Sequence, residues 1–525
     1  MKGGWRWATA LVVTGAVWAG CKQEQVDRSE HGNPGLDSPQ VEGPSKPAAP
    51  DAGTGTDGGG KPDAGTQTPP DAGTQTPPDA GTPKPPDAGT PPPPPPEAAI
   101  QFPTLDGWQF FGTQHGGPRR IYGVTEDEGG NVWVAGGEDG LFLLAPGTTR
   151  FRRFTMENGL HPYGYMPDGS DAPGPKYLKV ISVAGGPAGT VFVGYEGRPG
   201  KGNDGCEDNW DRADGIAPDP SRYKSGDADK VTLRADGTLD VVHYDIFSGP
   251  GVVDDEKRGR EKLCNILRIA YDKNTQSVWF GGNHGFARGD ARFTGNPKCN
   301  GQTGCAGVFE HVHPAINAIG DSDNSIFLTD AYYGVAVHPS GDVFFGGANR
   351  STRFRYAANN FDYWDAQSMT EDKPYAWNRF DIWPDKVTEP NYPRAADRVD
   401  DNVSGMAVAG TDTVWVSSFT KGLARMNAEG GDVHYVDVGV SHLATVAVDP
   451  LDGSVWTGAR WLGAVYRLKD GSVHDYCASF GIQLCSSRVS DIQVAGHGFG
   501  RRVLVAFMGS DENHIPGAIG IYTGN

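Results

Sequence analysis

After residue 120 one short phrase recurs seven times: an apolar run, usually with an aromatic, then glycine or other small residues, then a polar turn. The copies are Val132-Trp133-Val134, Val191-Phe192-Val193, Val278-Trp279-Phe280, Val343-Phe344-Phe345, Val414-Trp415-Val416, Val455-Trp456-Thr457 and Val503-Leu504-Val505. A short β unit returning at an irregular period of roughly 40–90 residues points to stacked repeats, and four short strands per unit make a propeller blade. The expected fold is therefore all-β.

In the first unit, Ile121 to Thr125 reads as the innermost strand, with Asn131 to Ala135, Gly140 to Leu144 and Arg150 to Thr155 following outward. Later innermost strands should begin near Leu178, Leu267, Tyr333, Gly405, Ala444 and Val489. Outer strands are expected at Leu239–Tyr244, Val308–Val312, Phe361–Trp364, Val433–Val436 and Val473–Tyr476. The last unit stops at Gly520-Ile521-Tyr522, its third strand, while Gly107 to Phe111 carries an outer-strand pattern ahead of the first unit. Borrowing that strand gives a seven-bladed β-propeller closed by an N-terminal outer strand, with no long unpaired edge. The count becomes six or eight if one irregular unit is misread. Helical periodicity is scarce, and glycine (76 residues) supplies the turns.

The start of the chain reads as an export signal. Lys2 and Arg6 are followed by a short apolar core, Ala8 to Ala19, and then by Ala19-Gly20-Cys21. This resembles a bacterial lipoprotein lipobox, although Trp18 stands where such boxes carry Leu or another aliphatic residue. The resemblance implies cleavage before Cys21, lipidation there, and anchoring in the cell envelope, on the periplasmic or cell-surface side of the outer membrane. Unlipidated, the same segment is an ordinary secretion signal. Residues 1–20 are thus assigned as signal peptide, 21–98 as tether and 99–525 as propeller.

The tether holds almost nothing to bury. Asp-Ala-Gly-Thr recurs at Asp51, Asp63, Asp71, Asp79 and Asp87, and Pro91 to Pro96 is an unbroken proline run. Such a composition should stay disordered, with proline-rich parts extended at ~3.1 Å per residue. A formal dinucleotide match, Gly53-x-Gly55-x-x-Gly58, falls inside it with no flanking strand or helix, and carries no chemistry. No later stretch reaches the ~18 apolar residues of a spanning helix.

A net charge of −19 argues against nucleic acid as a partner. Of seven cysteines, Cys21 is set aside for lipid, which leaves Cys206, Cys264, Cys299, Cys305, Cys477 and Cys485. An even number in an exported chain reads as disulfides. Proximity favours Cys299–Cys305 and Cys477–Cys485, leaving Cys206 with Cys264. No spacing suggests a zinc site, and no cofactor is expected. Two acidic loops, Asp204/Glu207/Asp208/Asp211/Asp214 and Asp321/Asp323/Asn324, carry the oxygen ligands calcium takes, but neither has EF-hand spacing. They read as solvated loops. Histidines on outer strands, His243, His434 and His474, read as inherited blade pattern.

The first unit, Glu126-Asp127-x-Gly129-Gly130-Asn131-Val132-Trp133-Val134, running on through Gly140-Leu141 to Asn158-Gly159-Leu160, resembles the two-component-regulator propeller repeat of bacterial sensor ectodomains. The likeness is partial at Asp412 to Leu423 and Asp452 to Tyr466, and elsewhere is confined to the second strand. It implies the propeller fold. No kinase, receiver or spanning segment accompanies it, so a signalling role does not follow.

Blades of ~60 residues exceed the ~40–45 of a lean repeat. The surplus sits at 161–176, 197–227, 245–262, 314–331, 366–402 and 509–516. By strand order these connect second to third strands or outer to next inner strands, which emerge on one face; only 290–306 falls on the other. Long loops gathered on one rim of a rigid scaffold are where binding usually sits. Trp133, Trp279, Trp415 and Trp456 occupy the repeated second strand and are expected in the core. Trp210, Trp377, Trp383 and Trp461 break the repeat in the loops, with Tyr375, Phe380 and Tyr392 beside two of them. Exposed aromatics suit a sugar ring or a protein partner. Short turns add Glu138, Asp139, Glu196, Arg198, Asn283, His284, Asn349, Arg350, Lys421 and Arg460 around the channel mouth.

The expected function is an envelope-held module that binds a protein or glycan through its loop-rich face. An enzyme is the alternative, a lyase or hydrolase acting on polysaccharide or lactone at the channel mouth. Virginiamycin-type lyases are similar single-chain propellers, but no residues here match their site. The folded part has no Gly-x-Ser-x-Gly elbow, His-Glu-x-x-His or phosphate loop; His284, Glu138 or His514 would have to serve. A sensor subunit signalling to a membrane partner is the third reading.

Overall fold

Each recurring apolar triplet forms the second strand of a four-stranded antiparallel sheet, where its side chains are shielded on both faces. Trp133, Trp279 and Trp456 are fully buried, as are Val134, Phe192, Phe280, Phe344, Phe345 and Leu504. Trp415 is only partly buried, against Leu423, Val446 and their neighbours. The computed structural model describes residues 99–163, 176–197, 227–244, 265–282, 285–295, 331–347, 403–428, 432–496 and 500–524, the Arg353 side chain, and the strand backbones at 308–312, 315–317, 325–327, 351–354 and 377–380. Among these residues no helix is long and apolar enough to cross a membrane. The signal peptide, Cys21 and the tether lie outside the described residues.

The described strands form seven four-stranded sheets and one two-stranded hairpin. From inner to outer strand, the first sheet is Gly123–Glu126, Val132–Ala135, Leu141–Leu144 and Arg152–Phe154. The second is Val180–Gly185, Thr190–Tyr195, Ala228–Leu233 and Leu239–Tyr244; the third is Ile266–Asp272, Ser277–Gly282, Gly285–Asp290 and Val308–Val312. The fourth is Tyr332–Val337, Val343–Gly347, Ser351–Phe354 and Trp377–Phe380. The fifth is Val403–Ala409, Thr413–Ser418, Gly422–Asn427 and His434–Val436. The sixth is Leu443–Val448, Val455–Ala459, Val465–Lys469 and Ser472–Asp475. The seventh takes Val489–Ala495, Arg502–Phe507 and Ala518–Tyr522 from the end of the chain and Trp108–Gly112 from the start.

This is an all-β propeller. In six sheets at least the three inner strands carry described side chains; in the fourth only the inner pair and Arg353 do. Blades defined to that standard number six rather than the expected seven.

Three further features depart from expectation. The outer strand of the fourth sheet is Trp377–Phe380, whereas 361–364, the expected strand, lies outside the described residues. The connection after Val308–Val312 contains the hairpin Ala315–Asn317 with Ser325–Phe327. A helical segment, Cys477–Cys485, broken at Gly481 (φ 75°), links the sixth and seventh sheets. Its ends are joined by the Cys477–Cys485 disulfide, Cα atoms 5.1 Å apart; the other five cysteines lie outside the described residues.

The join between the propeller's first and last strands is aromatic. Trp108 pairs with Tyr522 in the sheet register, and its ring lies 4.9 Å from Phe480, 5.1 Å from Tyr522 and 6.4 Å from Trp456. Phe480 and Leu484 of the helical segment are buried beneath that seam, in one cluster with Phe110, Val489 and Phe507. The helical segment is therefore an apolar filler for the closure.

Candidate functional site

Connections from second to third strands, and from an outer strand to the next inner one, emerge on one face. Two polar and aromatic groups are described there. The first gathers around Tyr122, just before the first sheet. The 136–140 turn packs on its ring so closely that a Cβ at Gly137 (φ 60°) would lie 2.5 Å from Tyr122 Cε2, so glycine is required there. That turn presents Glu138, whose Oε1 lies 3.5 Å from the Tyr177 hydroxyl. Beside it Lys179 Nζ meets Glu196 at 2.8 Å and 2.7 Å, both side chains nearly buried. Asp139 caps the Arg119 backbone N–H at 3.0 Å, and Arg120 pairs with Asp511.

Burial, reinforced by the charges of Glu196, Glu138 and Asp511, pushes the Tyr122 hydroxyl up to about 12. Burial with Glu196 and Glu138 also raises Tyr177 well above the usual phenol range. Both phenols therefore stay protonated near neutrality and act as hydrogen-bond groups. Glu138, Asp139 and Glu196 come together here as the sequence suggests; Tyr122, Tyr177 and Lys179, which strand patterning makes look like core, escape sequence reading.

The second group is built on the turn between Val455–Ala459 and Val465–Lys469. Trp461 (42 % exposed) and Leu462 (48 %) form its tip. Arg460 Cζ lies 4.5 Å from the Trp461 ring centre and 4.3 Å from that of Phe419; Arg488 Cζ lies 4.8 Å from Trp461. Tyr333 meets Phe419 edge-on at 4.9 Å. The turn is held from both sides: Arg460 N–H donates to the His442 carbonyl at 3.0 Å, and Gly463 N–H to the Cys485 carbonyl at 2.9 Å. A Cβ on Gly463 would lie 1.7 Å from the Leu484 carbonyl oxygen, so only glycine permits this approach. Arg488 and Phe419 escape sequence reading, because neither breaks a repeat.

Below this face, in the second sheet, His243 sits between two carboxylates. Its Nδ1 lies 2.8 Å from Asp229 and its Nε2 3.3 Å from Asp227, all with buried side chains. Asp229 also accepts from the Tyr195 hydroxyl at 2.5 Å and the His161 backbone N–H at 2.8 Å. His243 is thus no decorative outer-strand histidine, unlike His434, which is exposed and pairs with Asp432. Between inner strands, Arg268 Nη1 meets Asp491 at 2.7 Å.

Trp377 opens an outer strand and is not a loop residue, and its side chain is not described. Trp210, Trp383, Tyr375, Arg198, Asn283, His284, Asn349 and Arg350 lie outside the described residues, as do both acidic loops considered for calcium. Among the described residues no cluster of three or more His, Cys, Asp or Glu is arranged to hold a metal.

Fold and face together define a class: an all-β propeller presenting paired charges, protonated phenols and one exposed, cation-flanked indole. No protein-family model matches the chain, and no curated protein matches it. Among solved structures, the chain is similar to one described as YCF48 bound to D1 peptide, at 11% identity and a TM-score of 0.44, over 81% of this chain and 100% of that one.

Proposed function

We propose that the chain is a binding module that engages a glycan or protein ligand through this face. The observation carrying the reading is the exposed Trp461–Leu462 tip on a turn fixed by backbone hydrogen bonds to both neighbouring connections. An exposed indole that is already immobilised loses little entropy on binding, which favours recognition. Paired charges such as Lys179–Glu196 are satisfied within the molecule.

The same reading takes the seven sheets as seven blades of one ring; inner strands contact one another in sequence order, and Val489–Ala495 contacts Gly123–Glu126. It takes 1–20 as a lipoprotein signal, Cys21 as the lipid anchor, and 21–98 as a spacer holding the propeller away from the envelope membrane, on the periplasmic or cell-surface side. The test is capture from envelope extract and from a glycan array by the full-length protein beside its Trp461→Ala variant. Capture of one partner, lost in the variant, is expected. Equal capture by both proteins would remove Trp461 from the site.

A further inference from the structure

We infer that the Arg460–Trp461–Arg488 group takes a carboxylated sugar unit, making the ligand an acidic, uronate-bearing glycan; this rests on the binding-face reading above. Three observations carry it.

The Arg488 guanidinium lies over Trp461 and has no carboxylate partner among the described residues, whereas Arg268, Arg467 and Arg501 each pair with an aspartate. Guanidinium presents a planar fork of donors that a carboxylate matches at two points. Held over an indole, it is presented in one plane before any ligand arrives.

The exposed part of Trp461, with Leu462 beside it, gives apolar area next to that fork. A pyranose ring offers the same pairing, with C–H groups on its face and, in a uronate, a carboxylate at its edge.

The turn's main chain offers a peptide no unbroken ladder, because the N–H groups flanking the Trp461–Leu462 tip are already bonded. The N–H groups of Ala459, Arg460 and Gly463 are bonded to Ala464, His442 and Cys485. An extended peptide gains affinity by pairing with free main-chain groups, while a sugar is held through side chains. The net charge of −19 opposes an acidic ligand at long range, but at physiological salt such fields are screened beyond about 8 Å, and the guanidinium contacts decide.

The experiment is isothermal titration of the full chain with three probes of equal length: tetragalacturonate, cellotetraose and tetraglutamate. Tetragalacturonate should bind at least about tenfold tighter than cellotetraose, with affinity falling as salt rises. Arg488→Gln and Trp461→Ala should each cost about tenfold or more. Arg488→Lys, which keeps the charge and removes the fork, should lose part of the affinity, and it serves if Arg488→Gln fails to fold. Equal binding of cellotetraose, unmoved by Arg488→Gln, would overturn the acidic-ligand inference and leave the binding face standing. Tighter binding of tetraglutamate would overturn it in favour of an acidic peptide. Absence of binding to all three overturns it as well, while extract capture that depends on Trp461 would separately keep the broader reading.

Discussion

Asp127 explains why the first repeat looks so regular. Its buried carboxylate accepts from the backbone N–H of Gly129 at 2.8 Å and Asn131 at 3.1 Å, from Trp133 Nε1 at 2.8 Å, and from Gly189 N–H at 3.1 Å in the next sheet. One side chain shapes the turn, fixes the core indole and ties two sheets together. Asp127→Ala strands several buried donors and should lower stability by about 3 kcal/mol, read from urea unfolding. Spacing alone brings that role within reach of sequence. His243 is different, because its partners come from other strands. Burial alone would lower its pKa from 6.5, but the bonds to Asp227 and Asp229 outweigh this and raise it to about 9. The folded protein therefore holds a proton that the unfolded chain releases. The stability it contributes, on the order of 3 kcal/mol, is complete below pH 6.5 and lost as pH rises through 9. Asp229, raised by burial, acts in the same direction at lower pH. Unfolding measured from pH 6 to 10 should show this decline, and His243→Gln should flatten it.

At the level of strands and connections, regular pieces are legible and irregular ones are not. The second strands and the displaced N-terminal strand follow from alternating apolar residues. The inner strands hide a common device: in six sheets the register slips by one residue near the strand's start, as between Val180 and Ser182 or Val489 and Asp491. The skipped residues, among them Leu267, Tyr333, Ser404 and Ala444, share no chemistry, so no pattern announces the bulge. The outer strand of the fourth sheet is misread for a related reason: Phe361-Asp-Tyr-Trp364 and Trp377-Asn-Arg-Phe380 have equal claims, and only pairing with Ser351–Phe354 selects the second. The helical segment 477–485 is too short and too broken by Gly481 to show a period. It matters nonetheless. Trp108→Ala, which empties the space it helps to close, should cost about 4 kcal/mol. Reducing Cys477–Cys485 should cost about 2–3 kcal/mol by freeing a short loop, measurable as a lower Tm in reductant.

For the molecule as a whole, the Arg268–Asp491 pair gives the strongest test. Arg268 Nε donates to the Tyr333 carbonyl at 3.2 Å, and Asp491 accepts from Val124 N–H at 3.2 Å and from the Thr445 hydroxyl at 3.5 Å. Inner strands of five sheets therefore meet at one ion pair. Arg268→Met should lose about 3 kcal/mol by leaving a buried carboxylate without its cation. Combining it with Asp491→Asn should restore much of that; costs that simply add would mean the pair is uncoupled. No local motif links positions 268 and 491, so sequence reading does not reach this interior pair.

The meeting of the propeller's first and last strands in the seventh sheet has a further consequence. Thr523 N–H donates to the Gly107 carbonyl at 2.8 Å, and a Cβ on Gly107 would lie 3.0 Å from Gly524 Cα, so the two segments run side by side. For residues 107–524, the order in which the sheets are written is then a convention of the gene and not of the structure. A version with these ends fused by a short linker, and new ends opened at the exposed turn around Gly147, should fold to the same propeller; the circular permutant's far-ultraviolet spectrum and Tm would decide it.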